Sequence, residues 1–259
     1  MGVWLGPRGT GKFSGEDDFT FNGSSYQFAA SGGNWEIALK DSGTFQFKKD
    51  PGMVDIFLVG GGDPGTAGHM GSSQSMAVGG DGGSGGECIT LRGLTLGRAL
   101  CSVTIGKSGA NTSFVSSSIG LSAIAVHGAN ANGGTGAYST YGGGGADAGQ
   151  PGNGSLAFGE SGTLIGGSTL FGAGAGGGAA SRASDGAIAD WSYGGTTGGG
   201  NGGSASYYNG QYTNAGENGD ANTGSGGGGG GALVLAFGNV QHADGGAGGS
   251  GIVILRNHR

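Results

Sequence analysis

The stretch Gly79-Gly80-Asp81-Gly82-Gly83-Ser84-Gly85-Gly86 repeats two glycines followed by one other residue. The same repeat runs from Gly245 to Gly251, and glycine recurs at every third position from Gly62 to Gly71. Three residues make one turn of the polyproline II helix, so each turn presents glycine to the same one or two sides. Backbones without Cβ atoms approach closely, and their N–H and C=O groups bond between neighbouring helices. The repeat therefore predicts a bundle of polyglycine II helices.

Glycine dominates the composition of the whole chain. It occupies 71 of 259 positions, whereas average usage is about 7%. A flexible linker is the alternative interpretation, because ordering so many glycines costs conformational entropy. The recurrence of the period in separate tracts favours an ordered bundle. The same composition excludes a fold built on long α-helices, since glycine destabilises a helix interior.

Short strand patterns flank the glycine tracts. The segment Ser42–Lys49 places Phe45 and Phe47 on one face, and a turn at Asp50-Pro51-Gly52 follows it. Eight strands are predicted in all: Ser42–Lys49, Met53–Gly60, Glu87–Arg92, Ala99–Gly106, Thr112–Ser116, Leu121–Val126, Ala232–Phe237 and Gly251–Arg256. We therefore expect an all-β protein, in which a β-sandwich-like framework carries the polyglycine II helix bundle and there is essentially no α-helix.

Motifs for catalysis, nucleotide binding and metal binding are incomplete in this sequence. Residues Gly6–Lys12 come close to a phosphate-binding loop, but Phe13 stands where the magnesium-binding hydroxyl belongs. The histidines show no metal-ligand spacing; they are His69, His127, His242 and His258. We predict a protein without enzymatic activity, metal or cofactor.

Charge and hydropathy limit the classes of partner. The formal net charge is −6 and no basic patch is present, which argues against nucleic acid. The longest apolar stretches, IFLV and ALVLAF, are too short to span a bilayer, so we expect no membrane insertion. Cys88 and Cys101 lie on neighbouring predicted strands and could pair, although two buried reduced thiols are favoured.

Tyrosine is concentrated in one part of the chain. Six of the seven tyrosines lie between residues 138 and 212, in segments rich in Gly, Ser and Asn. Antibody paratopes combine Tyr and Trp with such neighbours, which gives a rigid contact area with adaptable polar groups. The alternative is that the rings cap the bundle, but Phe would cap as well and is mostly absent there. The predicted receptor-binding residues are Tyr138, Tyr141, Trp191, Tyr193, Tyr207, Tyr208 and Tyr212.

An ordered set of sequence anchors runs through most of the chain. The anchors are GNWEIALKDSGTFQF (33–47), VDIFLVGGG (54–62), CSVTIGKSG (101–109), NTSF (111–114), FGESGTL (158–164) and GGAGGSGIVILRNHR (245–259). This set resembles the glycine-rich tail proteins of phages and prophages of gut Firmicutes. It is more distantly similar to the polyglycine tip adhesins of T-even-like long tail fibres. The chain departs from the pattern at Asp63, Pro64, His69 and Met70, and where ALVLAFGNVQHA interrupts the last glycine run.

The resemblance implies a function and a place. It implies a non-enzymatic tail-fibre tip or receptor-binding adhesin in the virion, made in the cytoplasm of the bacterial host. The expected partners are a glycan or protein receptor on the bacterial surface and other tail-fibre or virion proteins, with a homo-oligomer as a further possibility. The alternative is a purely structural fibre, collar or capsid decoration. A carbohydrate-cleaving tail enzyme would need two paired carboxylates, for which Asp185 and Asp190 are the nearest pair.

Four regions are expected along the chain. Residues 1–30 lie before the resemblance and are predicted to attach to a fibre or partner chain. The β framework follows at 31–127 with a glycine-rich insertion at 60–86, then the polyglycine II region with Tyr/Trp loops at 128–231, and returning strands at 232–259. The predicted attachment residues are Trp4, Phe13, Phe19 and Phe21.

Overall fold

The computed structural model describes residues 13–72, 76–135, 137–140, 143–146, 151–182, 197–206, 212–236 and 239–259. These residues form an all-β fold, as the sequence predicts. Within them, helical structure is limited to 3-10 turns of three residues: Glu16–Asp18, Ser117–Ile119 and Ala157–Gly159.

Strands in the described residues are short, and most belong to antiparallel pairs. In chain order they are β1 (Phe19–Phe21), β2 (Tyr26–Ser31), β3 (Asn34–Leu39), β4 (Gly43–Phe47), β5 (Met53–Val59), β6 (His69–Met70), β7 (Met76–Val78), β8 (Cys88–Thr95), β9 (Cys101–Thr104), β10 (Thr112–Ser116), β11 (Leu121–Ala125), β12 (Tyr138–Thr140), β13 (Gly143–Ala146), β14 (Ser155–Leu156), β15 (Leu170–Phe171), β16 (Ala180–Arg182), β17 (Ala205–Ser206), β18 (Tyr212–Thr213), β19 (Ala232–Ala236), β20 (Asn239–His242) and β21 (Ile252–Asn257).

Ten of these strands build the framework. One five-stranded sheet has the order β1-β4-β9-β10-β11, and a second has the order β2-β3-β21-β5-β8. Every pair in both sheets is antiparallel. The apolar core lies between the sheets, so the framework is a β-sandwich. Phe45 and Phe47 both point into this core, which confirms that they share a face.

The central strands of the second framework sheet are buried on both sides. Leu58 of β5 and Leu255 of β21 face the sandwich core, whereas Phe57 and Ile254, one position along each strand, face a second apolar cluster. That cluster includes Phe158, which belongs to the segment between β14 and β15. Burial on both faces explains why IFLV and IVIL are continuous apolar runs.

A bundle of glycine tracts extends from the framework. Its central tract is residues 224–231, and the central N–H and C=O groups bond to six surrounding tracts. From Gly226 to Gly231 the central tract donates to tracts 60–68, 172–179 and 214–220, and it accepts from tracts 79–86, 198–204 and 243–251. Gly224 donates to Ser250 in tract 243–251. The bonds recur at every third residue: Gly80, Gly83 and Gly86 donate to the carbonyls of Gly230, Gly227 and Gly224 at 2.7–2.8 Å. This three-residue period confirms the predicted bundle.

The six surrounding tracts also bond to one another around a closed ring. Tract 60–68 donates to 79–86 and 243–251, tract 172–179 donates to 79–86 and 198–204, and tract 214–220 donates to 198–204 and 243–251. A central strand with six bonded neighbours has hexagonal packing. It leaves no side of the central tract free.

Close packing explains where glycine is required. A Cβ atom added at any position from Gly226 to Gly231 would lie 1.9–2.3 Å from a carbonyl oxygen of a neighbouring tract. In tract 60–68 the positions that face the central tract are Gly62, Gly65 and Gly68, where an added Cβ would lie 2.0–2.4 Å from a carbonyl oxygen. The positions between these glycines, from Asp63 to Ala67, point away from the central tract and carry side chains. One glycine in three is therefore enough on part of the ring.

The bundle has two distinct ends. At the framework end, tract 60–68 follows β5 directly and tract 243–251 leads directly into β21. At the opposite end, which we call the distal end, the tracts lead into β6, β7, β12, β16, β17, β18, β19 and β20. A small apolar cluster there contains Ala77, Ala137, Ala180, Ala232 and Val234. Residues 232–259 thus contribute β19 and β20 to the distal end and β21 to the framework.

Candidate functional site

The distal end is formed by strands from several tracts. The order β13-β12-β7-β6 makes one sheet, β16-β19-β20 makes another, and β17 pairs with β18. Short connections join β6 to β7, β12 to β13, β17 to β18 and β19 to β20. The framework lies at the other end of the tracts, so the distal end is separated from it by the length of the bundle.

Two predicted receptor-binding tyrosines lie on described distal strands. Tyr138 is in β12, where its backbone pairs with Val78 and Ala146. Tyr212 is in β18 opposite Ser206, and its side chain is 38% exposed. Although Tyr138 and Tyr212 are far apart in sequence, the topology brings both to the same end of the bundle.

The other predicted receptor-binding residues lie outside the described residues. By connectivity, Tyr141 falls between β12 and β13, and Tyr207 and Tyr208 fall between β17 and β18. Trp191 and Tyr193 fall in residues 183–196, which join Arg182 at the distal end to tract 198–204. Asp185 and Asp190 belong to the same segment and are also outside the described residues. A role in binding stays a prediction for all of them.

The predicted attachment residues belong partly to the framework core. Phe19 is 4% exposed, and its ring centroid lies 5.6 Å from that of Phe45. Phe13 and Phe21 are partly buried against the same core. Trp4 lies outside the described residues. Residues 19–31 thus contribute β1 and β2 to the two framework sheets, and a role in attachment stays a prediction.

An ion cluster around the buried Asp55 and Arg256, which was not predicted from the sequence, fastens the β14–β15 segment to the framework. The carboxylate of Asp55 accepts hydrogen bonds from Arg256 Nε at 3.2 Å and His258 Nδ1 at 2.6 Å. Glu160 accepts two bonds from Arg256, at 2.9 and 3.1 Å. The guanidinium carbon of Arg256 also lies 4.0 Å from the centroid of the Phe158 ring. The anchors FGESGTL and GIVILRNHR therefore meet in space, and their contacts are structural.

Electrostatics in this cluster follow from burial and hydrogen bonding. Burial raises the pKa of Asp55, but hydrogen bonds from His258, Gly93 and Arg256 outweigh burial and leave the pKa below its ordinary value. The hydrogen bond from Arg256 lowers the pKa of Glu160. Burial disfavours the charged form of Arg256, yet Glu160 and Asp55 raise its pKa overall. All three groups are held in their charged forms.

A shallow polar groove runs between tracts 198–204 and 214–220. It has a volume of about 390 Å³ and is lined by Asn201, Gly202, Gly203, Ser204, Asn214, Ala215 and Glu217. Asn201 Nδ2 donates to Glu217 Oε2 at 2.6 Å, and Asn214 Nδ2 donates to Ser204 Oγ at 2.8 Å. Ser204 and Asn214 lie at the edge of the distal end, so the groove leads up to β18.

Neither cysteine is placed for chemistry. Cys88 and Cys101 are both free thiols, so the two do not form a disulfide. Burial raises the pKa of Cys88 to about 12, and burial also raises the pKa of Cys101. A thiolate is the reactive form of cysteine, so both groups are inert in the folded protein.

Metal-binding clusters and membrane-spanning helices are absent from the part of the chain that the structure describes. Among the described residues, no cluster of three or more His, Cys, Asp or Glu side chains is arranged to hold a metal ion. In the same part of the chain, no helix has the length and hydropathy needed to cross a bilayer.

The comparison with protein families matches most of the chain. The model of the glycine-rich domain matches residues 38–258. The chain belongs to the glycine-rich domain family. A comparison with curated protein sequences returned no match. The matched part of this glycine-rich domain runs from β3 to β21, so it takes in most of the framework, the whole ring of tracts and the distal strands.

Proposed function

We propose that this glycine-rich domain is a non-enzymatic receptor-binding tip of a phage tail fibre, which recognises the bacterial surface through its distal end. The observation that carries the proposal is the placement of β12 and β18, with Tyr138 and Tyr212, at the opposite end of the bundle from the framework. The connection that follows β12 carries Tyr141, and the connection that precedes β18 carries Tyr207 and Tyr208. The chemistry there is that of a paratope.

A rigid scaffold suits this function. Residues 226–231 of the central tract each bond to two neighbouring tracts, so the distal strands are presented on a base that loses little conformational entropy on binding. Aromatic rings would stack on apolar faces of sugars or of surface proteins. Weak binding at one site would be multiplied by several copies on one particle.

The framework end would then face the virion. In this arrangement the sandwich and residues 1–30 attach the domain to other tail-fibre or virion proteins, or to further copies of the chain. The protein would be made in the cytoplasm of the bacterial host and work in the virion. No catalytic step is part of this proposal.

The test compares tyrosines at the two ends. The variant Tyr207→Ser/Tyr208→Ser/Tyr212→Ser should abolish binding of the labelled, multivalently displayed protein to a host strain and leave the melting temperature nearly unchanged. Tyr26→Ser is the matched control, because Tyr26 is 41% exposed on β2 of the framework. It should retain cell binding. A large loss of thermal stability in the triple variant would show that the tyrosines are caps and would contradict the proposal.

A purely structural role in a fibre, collar or capsid decoration is the second candidate. The hexagonally bonded bundle favours it, because such a bundle is stiff without any contribution from the distal connections. A comparison of the sequences of close relatives distinguishes the receptor-binding function from the structural one. An adhesin requires variable distal connections on an unchanging set of strands, whereas a structural protein does not.

A further inference from the structure

The geometry points to the groove between tracts 198–204 and 214–220 as a binding subsite for an extended, electrically neutral oligosaccharide. This inference rests on the proposed function and names the class of receptor: a surface glycan. The groove is built only from described residues, and most of its polar side chains lie on its two walls.

Regularly spaced main-chain hydrogen bonds, which we call rungs, join the two walls of the groove. Main-chain N–H groups of Asn214, Glu217 and Asp220 donate to the carbonyls of Ser204, Asn201 and Gly198, each at 2.8 Å. Side chains meet above two of these rungs, at Asn214–Ser204 and at Asn201–Glu217. The main-chain bonds fix the backbone, so the amide, hydroxyl and carboxylate groups are held at set positions before a ligand arrives.

The spacing of the rungs suits a polysaccharide. Three residues of a polyproline II helix rise about 9 Å. This distance is close to the length of one disaccharide unit in an extended glycan chain. Successive rungs therefore offer the same kind of polar contact to successive disaccharide units.

The chemistry of the lining selects for hydroxyl-bearing, uncharged ligands. Asn201 and Asn214 supply donors and acceptors, and Glu217 supplies acceptors for sugar hydroxyls. The lining contains no basic side chain, and Asp220 continues the acidic wall beyond Glu217. An anionic saccharide would meet like charge there. Gly202 and Gly203 also line the groove.

An aromatic group lies beyond one end of the groove. Tyr212 precedes Asn214 by two residues and is partly exposed on β18. A sugar chain that leaves the groove toward the distal end passes this strand, where a tyrosine ring is a stacking surface. The groove thus connects the rungs to the distal end.

The inference is tested by nuclear magnetic resonance on the full-length ¹⁵N-labelled protein. The probes are neutral oligomers of β-1,4-linked N-acetylglucosamine, of β-1,4-linked glucose and of α-1,4-linked glucose, with oligogalacturonate as the anionic comparison. We expect a neutral oligomer to shift the amide signals of Asn201, Asn214 and Glu217 saturably, and oligogalacturonate to leave them unchanged.

Variants separate the groove from the rest of the surface. Asn201→Ala and Glu217→Gln should each weaken this binding about tenfold, since each removes hydrogen bonds to the ligand. Thr66→Ala is the matched control, because Thr66 is an exposed residue whose hydroxyl accepts from Asp81 N at 2.7 Å between tracts 60–68 and 79–86, on the opposite side of the ring. It should bind the oligomer like the wild type. An unchanged melting temperature shows that the groove variants are folded.

Two results would overturn the subsite. One is the absence of saturable shifts in the groove with every neutral oligomer at millimolar concentration; the other is equal binding of oligogalacturonate. Cell binding distinguishes this failure from failure of the proposed function. If Tyr207→Ser/Tyr208→Ser/Tyr212→Ser loses cell binding while Asn201→Ala keeps it, the domain is still an adhesin and the glycan subsite is wrong.

Discussion

The main-chain N–H of Gly228 donates to the carbonyl of Glu217 at 2.8 Å, in the middle of the central tract. A Cβ added to Gly228 would lie 1.9 Å from the carbonyl oxygen of Asn201, on the next tract around the ring. Gly228 is thus in close contact with two neighbouring tracts, 214–220 and 198–204. The fold requires glycine at this position because backbone atoms occupy the space of a side chain.

Alanine at the centre of the bundle should be strongly destabilising. Gly228→Ala forces tract 198–204 away from the central tract, and we expect the free energy of unfolding to fall by about 3 kcal/mol or more. Ala247→Ser is the control, since Ala247 is exposed on an outer tract. It should change stability by less than about 0.5 kcal/mol. Equilibrium unfolding in urea measures both, and equal stability of the two variants would contradict hexagonal packing.

Removing a charge from the ion cluster should also lower the free energy of unfolding strongly. Asp55→Asn removes a buried charge that partners the fully buried Arg256, and we expect a loss of about 3–5 kcal/mol in the free energy of unfolding. Arg98→Gln, which changes an exposed framework arginine, should cost less than about 0.5 kcal/mol. Urea denaturation followed by tryptophan fluorescence makes the comparison. A loss below about 1 kcal/mol for Asp55→Asn would show that the buried Asp55–Arg256 pair does not stabilise the framework.

Acid should destabilise the framework through Asp18. The hydrogen bond from Lys49 lowers the pKa of Asp18 to about 2, from an ordinary value of 3.8. Because the folded-state pKa is the lower one, the contribution to stability is complete above about pH 4 and is lost as the pH falls toward 2. Lys49→Met should flatten this part of the stability curve, whereas Lys48→Met, at the exposed neighbouring lysine, should not. Urea midpoints of the wild type and both variants, measured from pH 2 to 6, test this difference.

The cysteines should be unreactive in the native state. Burial holds the pKa of Cys88 near 12 and raises that of Cys101, so a thiol reagent at pH 8 should react slowly with both. Both should react at once in denaturant. Ser122→Cys places a thiol at an exposed position of β11 and gives the fast reference reaction. Rapid native-state labelling of the wild type, or a disulfide under non-reducing conditions, would contradict the structure.

The bundle was predictable because its outer tracts keep a visible period. In tracts 79–86 and 243–251 two positions of each turn face neighbours and the third carries a side chain, so the sequence shows two glycines and one other residue. Residues 226–231 are uniformly glycine and have no period. Their place at the centre follows only from six bonded neighbours, which no local pattern reveals.

Long-range contacts account for what the sequence analysis missed. Strand β3 was not predicted, although Trp35, Ile37 and Leu39 alternate toward the core. The ion cluster joins Glu160 to Arg256 across 96 positions of sequence. Its local signal is a charged residue inside an apolar strand, as at Asp55 in MVDIFLV. The groove was missed because its rungs depend on which tracts become neighbours in the ring.

Binding to bacterial cells is the decisive test of the receptor-binding function. The labelled full-length protein, displayed multivalently to offset weak single-site affinity, is titrated against a panel of gut bacterial strains. We expect saturable binding that is restricted to some strains and competed by unlabelled protein. Absence of binding to every strain, or equal unsaturable binding to all of them, would contradict a receptor-binding function and favour a structural virion component.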